Sequence, residues 1–146
     1  MKFNSEITID LPRDRVLELF DNAENMAKWQ PTLLHYEFLE GTPGQVGGKM
    51  KLAYKMGKGT LEMVETIVRR DLPDHFDCTY DAKGVHNIVR NQFLESNGKT
   101  VWKSENEFQF KGFMKLMGMI MPGAFKKESD KIMQNFKAFA EREGPN

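Results

Sequence analysis

The chain has 146 residues, with 21 Lys plus Arg against 21 Asp plus Glu and a formal net charge of zero. That length corresponds to one domain, at roughly 100–200 residues per domain. The balance lacks the basic excess of a nucleic-acid binder and gives no overall attraction to an anionic membrane. A single cysteine, Cys78, excludes an internal disulfide and a multi-cysteine metal site, and fits a reducing, cytoplasmic location. The opening residues lack the apolar core of a signal peptide, and no run approaches the roughly 18 apolar residues that would span a bilayer. Ten methionines and eleven phenylalanines stand out. These large, soft side chains either fill a core or line a hole.

From Phe3 to Leu11 apolar and polar residues alternate, with Phe3, Ser5, Ile7 and Ile9 on one face, which predicts a half-buried strand over 2–11. Pro12 suits the first position of a helix. Val16, Leu17 and Phe20 form its apolar stripe, Asp21 and Asn22 are candidate caps for a second short helix, and Pro31 stops it. Two short helices are therefore expected within 12–30. Strands are expected over 32–111. Leu34, Tyr36 and Phe38 alternate, as do Met50, Leu52, Tyr54 and Met56, and Gly57-Lys58-Gly59 marks a hairpin. Phe76, Cys78 and Tyr80 alternate next, and Asn97-Gly98 is a strong two-residue turn signal. Trp102, Ser104, Asn106, Phe108 and Phe110 share one face of the last strand. Near 60–70 and 85–95 both faces carry apolar residues, and the pattern leaves the register open. The period then turns helical over 113–143, interrupted at Pro122-Gly123. Phe125, Ile132, Phe136 and Phe139, with Met133 and Ala140 beside them, make its apolar side.

Chemical motifs are sparse. His35, His75 and His86 are separated too irregularly for an HxH or HExxH metal site, and none stands in a catalytic context. No nucleophile elbow, phosphate loop or dinucleotide glycine pattern occurs, so neither cofactor, metal nor catalytic residue is assigned. Cys78 reads as a buried, inert thiol. Ser104 and Asn106 are polar residues on an inward face and need partners in the protein, in water or in a ligand. Of Arg69 and Arg70, one could face inward toward an acidic group, with two surface charges as the alternative. Phe113 to Gly123 reads either as a Met-rich lid or as an ordinary packed turn of helix.

The order of strand, two short helices, six-strand meander and long final helix resembles the helix-grip fold of the START-like (SRPBCC) superfamily. That superfamily includes polyketide cyclases and dehydrases and lipid-transfer domains. The stretches ITIDLPRDRVLELFDNAENMAKWQP, GKTVWKSENEFQFKG and PGAFKKESDKIMQNFKAFAE carry the resemblance across nearly the whole chain. It implies an α+β domain whose curved antiparallel sheet of about seven strands wraps the C-terminal helix and leaves a cavity. Met50, Tyr54, Tyr80, Trp102, Ser104, Asn106, Phe108, Phe110, Met121, Phe125, Met133 and Phe136 are the expected ligand-binding residues. The implied function is binding of a hydrophobic small molecule, lipid or polyketide-like, by a monomer or weak homodimer. A cyclase/dehydrase-type enzyme is the alternative, with Tyr54, Tyr80, Asn106 or a cavity histidine moving protons. A co-chaperone-like interaction domain would instead show a broad exposed apolar patch.

Overall fold

A computed structural model describes residues 1–145. Strand β1 (Lys2–Ile9) is followed by α1 (Arg13–Phe20), a single 3-10 turn (Ala23–Asn25) and α2 (Met26–Trp29). Six strands come next: β2 (Leu33–Glu40), β3 (Lys49–Met56), β4 (Gly59–Asp71), β5 (His75–Ala82), β6 (Val85–Ser96) and β7 (Lys99–Phe110). The segment 113–143 divides into α3 (Phe113–Ile120) and α4 (Pro122–Glu143), because Met121 leaves helical geometry at φ −127 and ψ 53 and Pro122 restarts the helix. The strands form one antiparallel sheet in the order β1-β7-β6-β5-β4-β3-β2.

Local chemistry accounts for the punctuation. The Asn22 side chain accepts from the Glu24 N–H at 3.0 Å and caps the 3-10 turn. Asn97 (φ 53) and Gly98 (φ 76) take the paired left-handed conformations of a two-residue hairpin loop. β2 departs from strict alternation. Register shifts fall between Leu33 and His35 and between Phe38 and Glu40. A bulge inserts an extra residue and reverses the facing of the residues beyond it. Leu33 therefore packs against the core and Leu34 is exposed, whereas Tyr36 and Phe38 share the inward face as expected, opposite Leu52 and Met50, with Phe38 half exposed on this edge strand.

Helix α4 lies along β1. Ser5 Oγ donates to Asp130 Oδ1 at 2.6 Å, and Lys137 Nζ donates to the Thr8 carbonyl at 2.7 Å. The densest packing surrounds the C-terminal half of α4. There the Phe20 ring meets Trp29, Phe76, Phe93, Trp102 and Phe136 at centroid distances of 5.1–6.1 Å. Phe93, Phe136, Phe139 and Ala140 are fully buried around it. Burial in this closed aromatic core is stabilising at about 25 cal/mol per Å² of apolar surface removed from water.

Candidate functional site

Strand pairing places the inward residues in rows. One row runs Met50, Glu65, Tyr80, Asn87 and Phe108 from β3 to β7, and the next runs Ile67, Cys78, Val89 and Asn106. A further row carries Phe93, Trp102 and Ile7. The registers that the pattern left open are thus settled: Met63, Glu65 and Ile67 face inward on β4, and Val68 faces out.

The twelve expected residues fall into three groups. Met50, Trp102, Met133 and Phe136 sit in the closed core, where neighbouring side chains occupy their surfaces. Trp102 Nε1 also donates to Asn91 Oδ1 at 2.9 Å. Ser104 and Asn106 are buried too, within 3.4 Å of each other, so they find a protein partner. Met121 is half exposed at the break between α3 and α4, apart from the sheet's inner rows. Tyr54, Tyr80, Phe108, Phe110 and Phe125 form the third group, inward yet only half-buried. Phe125 rests on Phe108 and Phe110 at 5.0 and 5.2 Å. Phe108, Phe110 and Phe125 thus gather near the N-terminal end of α4, while Tyr54 and Tyr80 stand at the border between that cluster's rows and the packed core.

That half-covered end holds a residue that sequence reasoning missed. Glu65 stands half-buried in the inward row between Met50 and Tyr80, and Tyr80 Oη donates to Glu65 Oε2 at 2.7 Å. Burial raises the pKa of its carboxyl above the usual range, opposed by the Tyr80 hydrogen bond. Burial, reinforced by the nearby Glu65 charge, raises the phenols of Tyr54 and Tyr80 as well. Tyr54 Oη donates to Gln30 Oε1 at 2.5 Å. Beside Tyr80 in the same row, Asn87 Oδ1 is buried and has no hydrogen-bond partner among the described residues. Cys78 is fully buried, and burial pushes its thiol up, in keeping with an unreactive sulfur. Glu65 was legible only as a polar residue among the apolar ones of one strand face. Its signal was the alternation Leu61, Met63, Glu65, Ile67, readable once the inward side of β4 is known.

Other candidates are accounted for elsewhere. Arg70 pairs with Asp21 at 2.5 Å and sits 5.8 Å above the Phe76 ring, so its charge is already matched. His86 Nδ1 meets Asp81 Oδ1 at 2.5 Å on the outer side. An open trough of about 1010 Å³ passes the β1 edge, bordered by Ser104 and Met133 but also by Arg69, Arg90, Lys103 and Glu105. Its charged rim is that of a solvated surface rather than of a mainly apolar ligand site. Among the described residues no cluster of His, Cys, Asp or Glu could hold a metal ion. Among the same residues no helix is long and apolar enough to cross a membrane.

A curved seven-strand sheet, two short helices after the first strand and a long terminal helix, with a polar pair set among half-covered aromatic residues, define a helix-grip domain of the START-like class. The family model described as polyketide cyclase / dehydrase and lipid transport matches residues 1–141, and the chain belongs to that family. Among curated proteins none matches the sequence. Solved structures share the fold at low identity. Mll3558 protein from Rhizobium loti is 14% identical with a TM-score of 0.77, over 95% of this chain and 96% of that one. Norcoclaurine synthase from Thalictrum flavum, in complex with dopamine and hydroxybenzaldehyde, is 13% identical with a TM-score of 0.76, over 100% and 89%. Ara h 8.0201 is 17% identical with a TM-score of 0.75, over 95% and 96%.

Proposed function

We propose that this domain binds an apolar small molecule between the inner rows of the sheet and the N-terminal half of α4. One observation carries the reading. Tyr54, Glu65, Tyr80, Asn87, Phe108 and Phe110 face inward on a concave sheet yet stay half-buried, while the rows beyond them are closed by α1, α2 and the rest of α4. Apolar walls with few polar groups are what small-molecule sites present. Glu65, Tyr80 and the unpartnered Asn87 would supply the orienting contacts, and Phe108, Phe110 and Phe125 the wall. The description of the family includes lipid transport, which fits a ligand of this kind. The ligand is taken by a monomer or weak homodimer in a reducing compartment, where the single buried thiol persists.

A cyclase/dehydrase-type activity is the second reading, and Glu65 favours it. A carboxyl held toward its protonated form by burial, hydrogen-bonded to a phenol, is suited to passing a proton to or from a bound carbonyl compound. Norcoclaurine synthase, a protein of the same fold, holds two aromatic small molecules in its solved form. Native mass spectrometry of gently extracted protein tests the binding reading. An added mass matching a lipid or polyketide-like compound, removable by organic extraction, is expected. An unmodified mass, together with no displacement of a bound hydrophobic dye by medium-chain alcohols or fatty acids, would overturn it.

A further inference from the structure

We infer that α3 is a docking element for an anionic lipid bilayer. The helix has two unlike faces. Met114, Met117 and Gly118 turn inward, Gly118 so closely that a Cβ there would stand 2.6 Å from the Phe110 ring. Phe113, Leu116, Met119 and Ile120, with Met121 after the helix, turn outward and are 48–74% exposed. Phe113, Leu116 and Ile120 recur at intervals of three and four, so they share one stripe, with Met119 on its flank. Five large apolar side chains on one short segment are far more than the scattered exposure normal at a protein surface.

Charge selects the occupant. Residues 108–127 contain four lysines and no acidic residue. Lys126 pairs with Asp130, whereas Lys111, Lys115 and Lys127 are exposed and make no ion pair among the described residues. The turn between β5 and β6 abuts the same helix, since a Cβ on Gly84 would meet Met114 and the Lys111 carbonyl within 3.3 Å, and that turn adds exposed Lys83. A second copy of the chain would bring lysines against lysines. An anionic bilayer accepts both features at once, with apolar side chains entering the acyl boundary and lysines at the headgroups. Docking there sets Phe110 and Phe125 about one helix diameter, ~10 Å, from the lipid, at the half-covered end of the sheet. The inference does not depend on which ligand that end takes.

Co-flotation with phosphatidylcholine vesicles, with and without phosphatidylglycerol, tests it. Binding is expected to be about tenfold or more tighter when phosphatidylglycerol is present, and to weaken with added salt. Met119→Gln with Ile120→Gln, and separately Lys115→Glu with Lys127→Glu, should each lower it by about tenfold. All four positions are exposed, so the variants keep the fold. Phe113→Trp supplies a local probe whose emission should shift to the blue on adding anionic vesicles. Absence of binding at low salt, equal binding to both vesicle types, or unchanged binding in both double variants would overturn the inference. So would a dimer or a protein complex that forms through α3 and is broken by Met119→Gln with Ile120→Gln, with no vesicle binding.

Discussion

Glu65 faces inward between Met50 and Tyr80, with a tyrosine hydroxyl on one carboxylate oxygen. Because burial raises its pKa in the folded state, the folded chain keeps that proton to higher pH than the unfolded chain does. Its contribution to stability is complete below the unfolded value, near 4.5, and is lost as pH rises through the raised folded value. Glu65→Gln cannot ionise and escapes that loss. The wild type should therefore lose stability relative to Glu65→Gln as pH rises from acidic to neutral, read as a widening gap between their urea midpoints. A gap independent of pH would show that Glu65 ionises as freely when folded as when unfolded. The sequence alone could not single out this residue. A glutamate in the run Met63 to Val68 looks like the solvent side of a strand, and only pairing with β5 reveals Tyr80 as its partner.

Among the elements, β1, β3 and β7 were readable because one face is apolar and the other charged, and the period of two then sets the register. β4 and β6 were not, since Val64, Val68 and Ile88 put apolar residues on the outer side as well. The pattern of β2 misleads at Leu34 because a bulge between Leu33 and His35 shifts the register there, and a bulge leaves no mark in a hydrophobic pattern. The long C-terminal helix was legible, but not how far its apolar face would be closed: α1 and α2 supply Phe20 and Trp29, which turn Trp102 and Phe136 into core. Helix α3 is lightly secured. Its N-terminus at Gly112 has no side-chain cap, and it packs on β7 mainly through the bare Gly118. The Phe110 ring that fills this space is held in turn by Phe108, at 5.6 Å, and Phe125. Gly118→Ala should therefore lift α3 rather than displace the ring. Amide exchange within α3 should rise about fivefold, for a local loss of ~1 kcal/mol. Global stability should fall by no more than about that amount. Unchanged exchange in α3 would mean that the ring yields instead.

At the scale of the molecule, one domain divides into a closed half and a half-covered half. The same aromatic and methionine content serves both: Phe93, Phe136 and Phe139 fill, whereas Phe108, Phe110 and Phe125 stay partly uncovered. Net neutrality also conceals a local pattern. The 21 positive and 21 negative side chains balance overall, yet the stretch from Phe108 to Lys127 holds lysine alone. A charge sum bounds nonspecific attraction but says nothing of one face. On the proposed function, the half-covered end is the binding site and the closed half is not. Backbone amide shifts followed by NMR during titration with a medium-chain alcohol test it most directly. Saturable shifts around Tyr54, Glu65, Tyr80, Asn87, Phe108 and Phe110, with Phe93, Trp102 and Phe139 unmoved, are the predicted result. No saturable shift, or shifts confined to the outer face of α3, would contradict the account.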